Sequence, residues 1–137
     1  MAKRKIPNDT TFFHYYNANP KDKRTTDCVY RALSVAMDKT WKDVMMEMTE
    51  MACKYGYVPS DITLINKYLK KNGWVKRKQP RMYDGRRLTG CQWLTTVGKE
   101  TMIINIGSGH MSCIKDGKIW DTWDCSGRCV GNYWVKE

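Results

Sequence analysis

The hydrophobic pattern of this chain changes period once, near Thr101, and that change constrains its fold more than any other feature. Before it, apolar residues recur every three or four positions, the spacing of one helix face; after it they fall into short runs punctuated by glycine, as strands do. Asp27 is placed to cap a helix from Cys28 to about Met37, with Val29, Leu33, Ala36 and Met37 as its stripe. Thr40 caps a second helix from Trp41 to Tyr55, whose Val44, Met45, Met48, Met51, Ala52 and Tyr55 face inward and which Gly56 ends. Pro59-Ser60 opens a third over residues 61–71, with Ile62, Ile65, Tyr68 and Leu69 inward. A short strand at 74–77, a loop over 79–87 and a short helix over 89–97 follow. Residues 101–106 then read as an apolar strand. The break Gly107-Ser108-Gly109 separates it from a hairpin of 110–115 and 118–123 turning at Asp116-Gly117. Residues 132–135 read as a last strand. The expected class is α+β, N-terminal helices packed on a C-terminal antiparallel sheet.

The chain has 137 residues, and its 42% hydrophobic content suffices for one packed core, which excludes disorder as a description of the whole. Residues 1–19 read as a basic N-terminal segment and 20–137 as a single domain. No run of about 18 apolar residues is present to span a membrane. The basic start Met1-Ala2-Lys3-Arg4-Lys5 leads into Ile6-Pro7-Asn8-Asp9, unlike a secretory signal, so a cytoplasmic location is expected. The six cysteines are then expected as thiols. The closest approach to a metal pattern is His110-x2-Cys113 with Cys125-x3-Cys129; that set could hold zinc, but clean CxxC knuckles are missing, and no metal or cofactor is assigned.

The formal net charge is +10, and it is concentrated. Residues 67–87 carry nine basic side chains against Asp84 alone, with Lys76, Arg77, Lys78 and Arg81 at the centre. Such a block is either a solvated face with a mobile loop or a lure for a polyanion or an acidic protein surface.

Cys28 stands at the first turn of its helix, where amides lack intrahelical acceptors and the dipole favours a thiolate; the plainer reading is a small buried residue. In the hairpin, pairing Lys115 with Lys118 sets Ser112 opposite Asp121 and His110 opposite Trp123, with all four on one face. Asp121 is thus the diagonal neighbour of His110, while Asp124 falls on the other face unless a bulge exchanges the two. Separately, His110 reads as a structural histidine and Asp121 as a cap or surface acid. Jointly, a helix-starting cysteine, a strand histidine and an aspartate on the adjacent strand read as nucleophile, base and orienting carboxylate. Trp120, Tyr133 and Trp134 read as core, and Trp123 either as core or as a wall of the cleft beside His110.

The segments Thr26-Asp27-Cys28-Val29-Tyr30-Arg31-Ala32, Gly109-His110-Met111 and Ile119-Trp120-Asp121-Thr122 resemble papain-like cysteine peptidases in the broad sense, a superfamily that includes bacteriocin-processing peptidases and transglutaminase-like enzymes. The likeness spans residues 20–135 in element order. More loosely, the chain is similar to small proteins of bacteria and their phages with the same Asp-Cys and Asp-Thr-Trp-Asp-Cys-Ser signatures. The resemblance implies a papain-like fold with Cys28 as nucleophile, His110 as general base and acid, and Asp121 as the residue orienting the imidazole. The family places a Gln a few residues before the nucleophile to stabilise the oxyanion. Here Asp22 stands six residues back, no Gln precedes Cys28, and Asn19 is the nearest side-chain amide. The function implied is a thiol hydrolase, whether peptidase, isopeptidase or amidase, on a peptide or protein substrate that the basic block would favour if acidic. The rival expectation is a non-catalytic basic protein, a bacterial or phage effector engaging nucleic acid or an acidic protein.

Overall fold

The computed structural model describes residues 5–107 and 109–137; residues 1–4 and Ser108, part of the basic start and of the glycine-flanked break, lie outside the described residues. The elements run β1 (Phe13–Tyr15), α1 (Cys28–Met37), α2 (Trp41–Tyr55), α3 (Ile62–Lys71), β2 (Trp74–Arg77), α4 (Gly90–Val97), β3 (Met102–Ile106), β4 (His110–Lys115), β5 (Lys118–Asp121) and β6 (Val130–Lys136). The fold is α+β, with four helices and a six-stranded sheet ordered β1-β5-β4-β3-β6-β2.

Local chemistry explains most boundaries. Thr40 Oγ1 accepts from Asp43 N–H at 3.0 Å to start α2, and Gly56 at φ 77° stops it. Asp61 caps α3 through Thr63 N–H at 2.8 Å. Thr89 and Gln92 exchange bonds at the start of α4 as a capping box. The stripe of α3 is Leu64, Ile65, Tyr68 and Leu69; Ile62, expected inward, is 52% exposed because it lies in the first turn beside that stripe. Tyr55, expected inward on α2, is likewise exposed at the helix end.

The sheet is covered on both faces. Leu33, Val44, Met48, Leu69, Met111, Cys113 and Trp134 form one core with α1, α2 and α3. Leu94 of α4 packs with Ile104, Ile106, Ile114, Ile119 and Val130 on the other. Two buried faces explain why β3 reads as a continuous apolar run rather than an alternation. The hairpin has the expected register, Lys115 with Lys118, Ile114 with Ile119 and Cys113 with Trp120.

Two expectations are corrected. The sheet is mixed rather than antiparallel, because β1 runs parallel to β5. Residues 13–15, assigned to a segment ahead of the domain, are themselves a strand of its sheet: Phe13 is fully buried, and Phe12 O accepts from Ile119 N–H at 2.8 Å. Three residues with one buried side chain are too short for a period to show. No helix among the described residues is long and apolar enough to cross a membrane.

Candidate active site

The site forms where the N-terminus of α1 meets the start of β4. The Cys28 thiol faces the His110 imidazole and the Met111 backbone N–H. Burial works to raise the Cys28 pKa, but the hydrogen-bonding influence of those two neighbours and the charges of His110 and Arg31 outweigh it and leave the thiol below its ordinary value. His110 Nε2 lies 2.6 Å from Asp121 Oδ2, so Nδ1 is the ring nitrogen left for the thiol. Burial disfavours the imidazolium, yet hydrogen bonds to Asp121, Cys125 and Cys28 hold His110 up at about 11. Asp121 is itself buried, which would raise its carboxyl; bonds from His110, Ser112 and the Thr122 amide hold it below the ordinary range. Ser112 Oγ donates to Asp121 Oδ2 at 2.6 Å, and Thr122 N–H donates to Oδ1 at 2.7 Å.

Asp27 does not do what its position suggests. It stands at the N-cap of α1 but makes no side-chain cap. Its Oδ1 instead accepts from Arg31 NH1 at 2.8 Å, and its Oδ2 from Asn19 Nδ2 at 3.1 Å and Trp41 Nε1 at 3.0 Å. Three donors deeper in the protein outcompete the first-turn amides. The first-turn amides of α1 therefore receive no side-chain cap from Asp27. Arg31 continues the network, with NH2 3.5 Å from Asp121 Oδ1. Buried charges therefore alternate in sign from Asp27 through Arg31 and Asp121 to His110. Asn19, the expected oxyanion donor, is buried in the loop ahead of α1; its Nδ2 bonds Asp27 and its Oδ1 accepts from Lys21 N–H, so its contacts fix the loop before Cys28.

Trp123 is partly exposed, its ring centroid 5.0 Å from that of His110, beside a cleft of about 270 Å³ lined by Ile106, Gly107, Gly109, His110, Trp123 and Arg128. Asp124 accepts from Ser126 N–H and Oγ and does not contact His110, so Asp121 is the partner of the imidazole. Lys76, Arg77, Lys78 and Arg81 are exposed on β2 and the loop after it. Arg81 is folded back onto Gly85 O and Gln79 Oε1, and Lys76 Nζ sits 5.6 Å over the Trp134 ring.

The four residues of the zinc pattern are not brought together. Cys113 points to the opposite core, where burial pushes its thiol up, whereas Cys125 packs beside Asp121 with Sγ 3.8 Å from Oδ2. Ligand atoms of His110, Asp121 and Cys125 all lie within 4.8 Å of one another. The 2.6 Å between Nε2 and Oδ2 is a hydrogen-bond length, shorter than the roughly 3.3 Å that two ligands on one tetrahedral zinc would keep. All six cysteines are free thiols. Burial pushes the Cys125 thiol up, whereas the Cys28 thiol beside the same imidazole is held below its ordinary value.

Sequence reasoning missed Arg31 as a member of this cluster and joined Cys125 to His110 only in the zinc pattern. The four-residue spacing of Asp27 and Arg31 was the available signal for the first, since it places opposite charges on one helix face. Cys125 reaches this cluster because the loop after β5 folds back. Cysteine, histidine and carboxylate in this order of contacts define a site able to hold a thiolate–imidazolium pair. No family model matches the chain, and no curated protein or solved structure matches it either.

Proposed function

We propose that this protein is a papain-like thiol hydrolase acting on an amide or isopeptide bond, with Cys28 as nucleophile. The observation that carries the reading is the contact chain Cys28–His110–Asp121, in which the thiol is lowered and the imidazole raised. A lowered thiol beside a raised imidazole is the kind of perturbed pair that gathers at reactive sites. The Cys28 thiolate attacks the carbonyl carbon, forming a C–S bond as the carbonyl electron pair moves to oxygen. Cys28 N–H, at the first position of α1, is a donor for that oxyanion. His110 Nδ1–H passes its proton to the departing nitrogen as the C–N bond breaks. In the second half, water gives a proton to His110 and attacks the thioester, the C–S bond breaks, and the thiolate returns. Asp121 stabilises the imidazolium and fixes its tautomer throughout.

The test is acylation by an N-acylalanine p-nitrophenyl ester. A burst of nitrophenolate stoichiometric with protein is expected, with the acyl group on Cys28 by peptide mass spectrometry. A burst of equal size in Cys28→Ala, or acylation confined to exposed Cys53, would overturn the reading.

A further inference from the structure

The cleft beside His110 is lined by that imidazole but not by Cys28, so it opens on the imidazole side of the thiol. Under the proposed function, on which this inference rests, that side takes the amine leaving group. Its rim is bare backbone at Gly107 and Gly109, with φ of 58° and 124° and no atom within 4 Å of where a Cβ would stand. Trp123 supplies one wall and Arg128 the other polar feature. Arg128 is held at the backbone, its N–H donating to Cys125 O at 3.0 Å and its carbonyl accepting from Gly90 N–H at 2.9 Å. Among the described residues its guanidinium makes no ion pair or hydrogen bond, the arginine ion pairs there involving Arg31, Arg77 and Arg86.

The wider field has the same sign. Ile106 pairs with both His110 and Val130, so the starts of β4 and β6 lie at one end of the sheet. The basic loop leaves from that end, because Gln79 Nε2 donates to Val130 O and Leu88 O accepts from Val130 N–H. Charges at residues 77–87 thus flank the cleft instead of lying on a remote face. We propose that Arg128 selects a leaving group carrying a carboxylate near the scissile nitrogen. A guanidinium recognises a carboxylate bidentately, and the basic loop steers such substrates inward. The carboxylate belongs either to an acidic side chain or to a chain terminus.

Acyl transfer tests this directly. The acyl-enzyme formed from the p-nitrophenyl ester is partitioned between water and added amines: H-Glu-NH2, H-Gln-OH and neutral H-Gln-NH2 at equal free-amine concentration. In capture, the amine nitrogen bonds the thioester carbon, its proton passes to His110, and the C–S bond breaks. One charged amine should be captured roughly threefold to fivefold better than H-Gln-NH2, the range of a partly solvated ion pair. Preference for H-Glu-NH2 assigns a side-chain carboxylate, and preference for H-Gln-OH a chain terminus. The preference should collapse in Arg128→Ala and return in part in Arg128→Lys. It should also weaken in the unaltered protein as salt rises from about 0.05 to about 0.5 M. Each ratio is internal to one variant, so a change in acylation rate cancels. Equal capture of all three amines, or a preference that survives Arg128→Ala, overturns the subsite while leaving the thiol chemistry standing. Absence of any acyl-enzyme on Cys28 removes both.

Discussion

Replacing Cys28 with serine should change how stability depends on pH, and the change follows from counting protons. Ordinary imidazole and thiol values are about 6.5 and 8.5. Between them the unfolded chain carries a neutral thiol and a neutral imidazole, one proton in all. In the proposed ion pair the folded site carries a thiolate and an imidazolium, again one proton, in line with the lowered Cys28 and the raised His110. The pair therefore adds no slope to stability across that interval. In Cys28→Ser the hydroxyl does not ionise, while Asp121 still holds the imidazolium at 2.6 Å. The folded state then binds one more proton than the unfolded one. A raised group of this kind contributes stability that is complete below about pH 6.5 and lost as pH climbs through its folded value. The slope approaches about 1.4 kcal/mol per pH unit for one proton. Between about pH 7 and pH 8 the variant should thus lose about 1 kcal/mol more than the unaltered protein, all other titrating groups being common to both. Urea unfolding followed by tryptophan fluorescence at the two pH values measures it. Parallel pH profiles for the two proteins would refute the ion pair.

Other perturbations probe the supports of the site. Arg31→Met leaves the buried carboxylates of Asp27 and Asp121 without the cation between them and should cost about 3 kcal/mol, roughly 10 °C in melting temperature by calorimetry; a loss under about 1 kcal/mol would show that the network is dispensable. Asp121→Asn keeps the shape but loses the charge that holds the imidazolium, so ester turnover should fall on the order of a hundredfold or more while the far-ultraviolet circular dichroism spectrum is unchanged. Gly90→Ala would place a Cβ 2.8 Å from Ile119 Cδ1 and 3.0 Å from Ser126 Cα, overpacking the junction that anchors the loop carrying Cys125 and Arg128, with an expected cost of about 1–3 kcal/mol in urea unfolding. Neutralising Lys76, Arg77, Lys78 and Arg81 together should leave the alkylation rate of Cys28 within about twofold, since these exposed charges are screened by salt and iodoacetamide is neutral; loss of Cys28 reactivity in that variant would tie the basic surface to the chemistry itself.

Much of the fold was legible because local signals agreed with one another. The three N-terminal helices, the strand Trp74–Arg77 and the hairpin carry strong caps, stripes or a turn dipeptide, and the two-residue turn at Asp116-Gly117 fixed the register that puts Asp121 beside His110. What stayed hidden depends on contacts distant in sequence. The strand at Phe13–Tyr15 exists only because β5 offers it an edge. Asp27 looks like a cap until Asn19, Arg31 and Trp41 are seen to compete for its carboxylate. Cys125 arrives at His110 through a loop whose path is set by the amides at the start of α4, where Cys91 N–H donates to Ser126 O and Gly90 N–H to Arg128 O. The contact between Cys28 and His110 joins residues on opposite sides of the change in hydrophobic period, and sequence supplied their types and order but not their meeting.

The most direct test of the central claim is site-resolved alkylation by iodoacetamide at mildly acidic pH, read by peptide mass spectrometry in the unaltered protein and in His110→Ala. Ordinary thiols are protonated there and slow, whereas a thiolate paired with an imidazolium is not. The expected result is modification of Cys28 well ahead of exposed Cys53 and half-buried Cys91, with that lead lost in His110→Ala. Alkylation of Cys28 no faster than Cys53 or Cys91, or a lead that persists without His110, would contradict it.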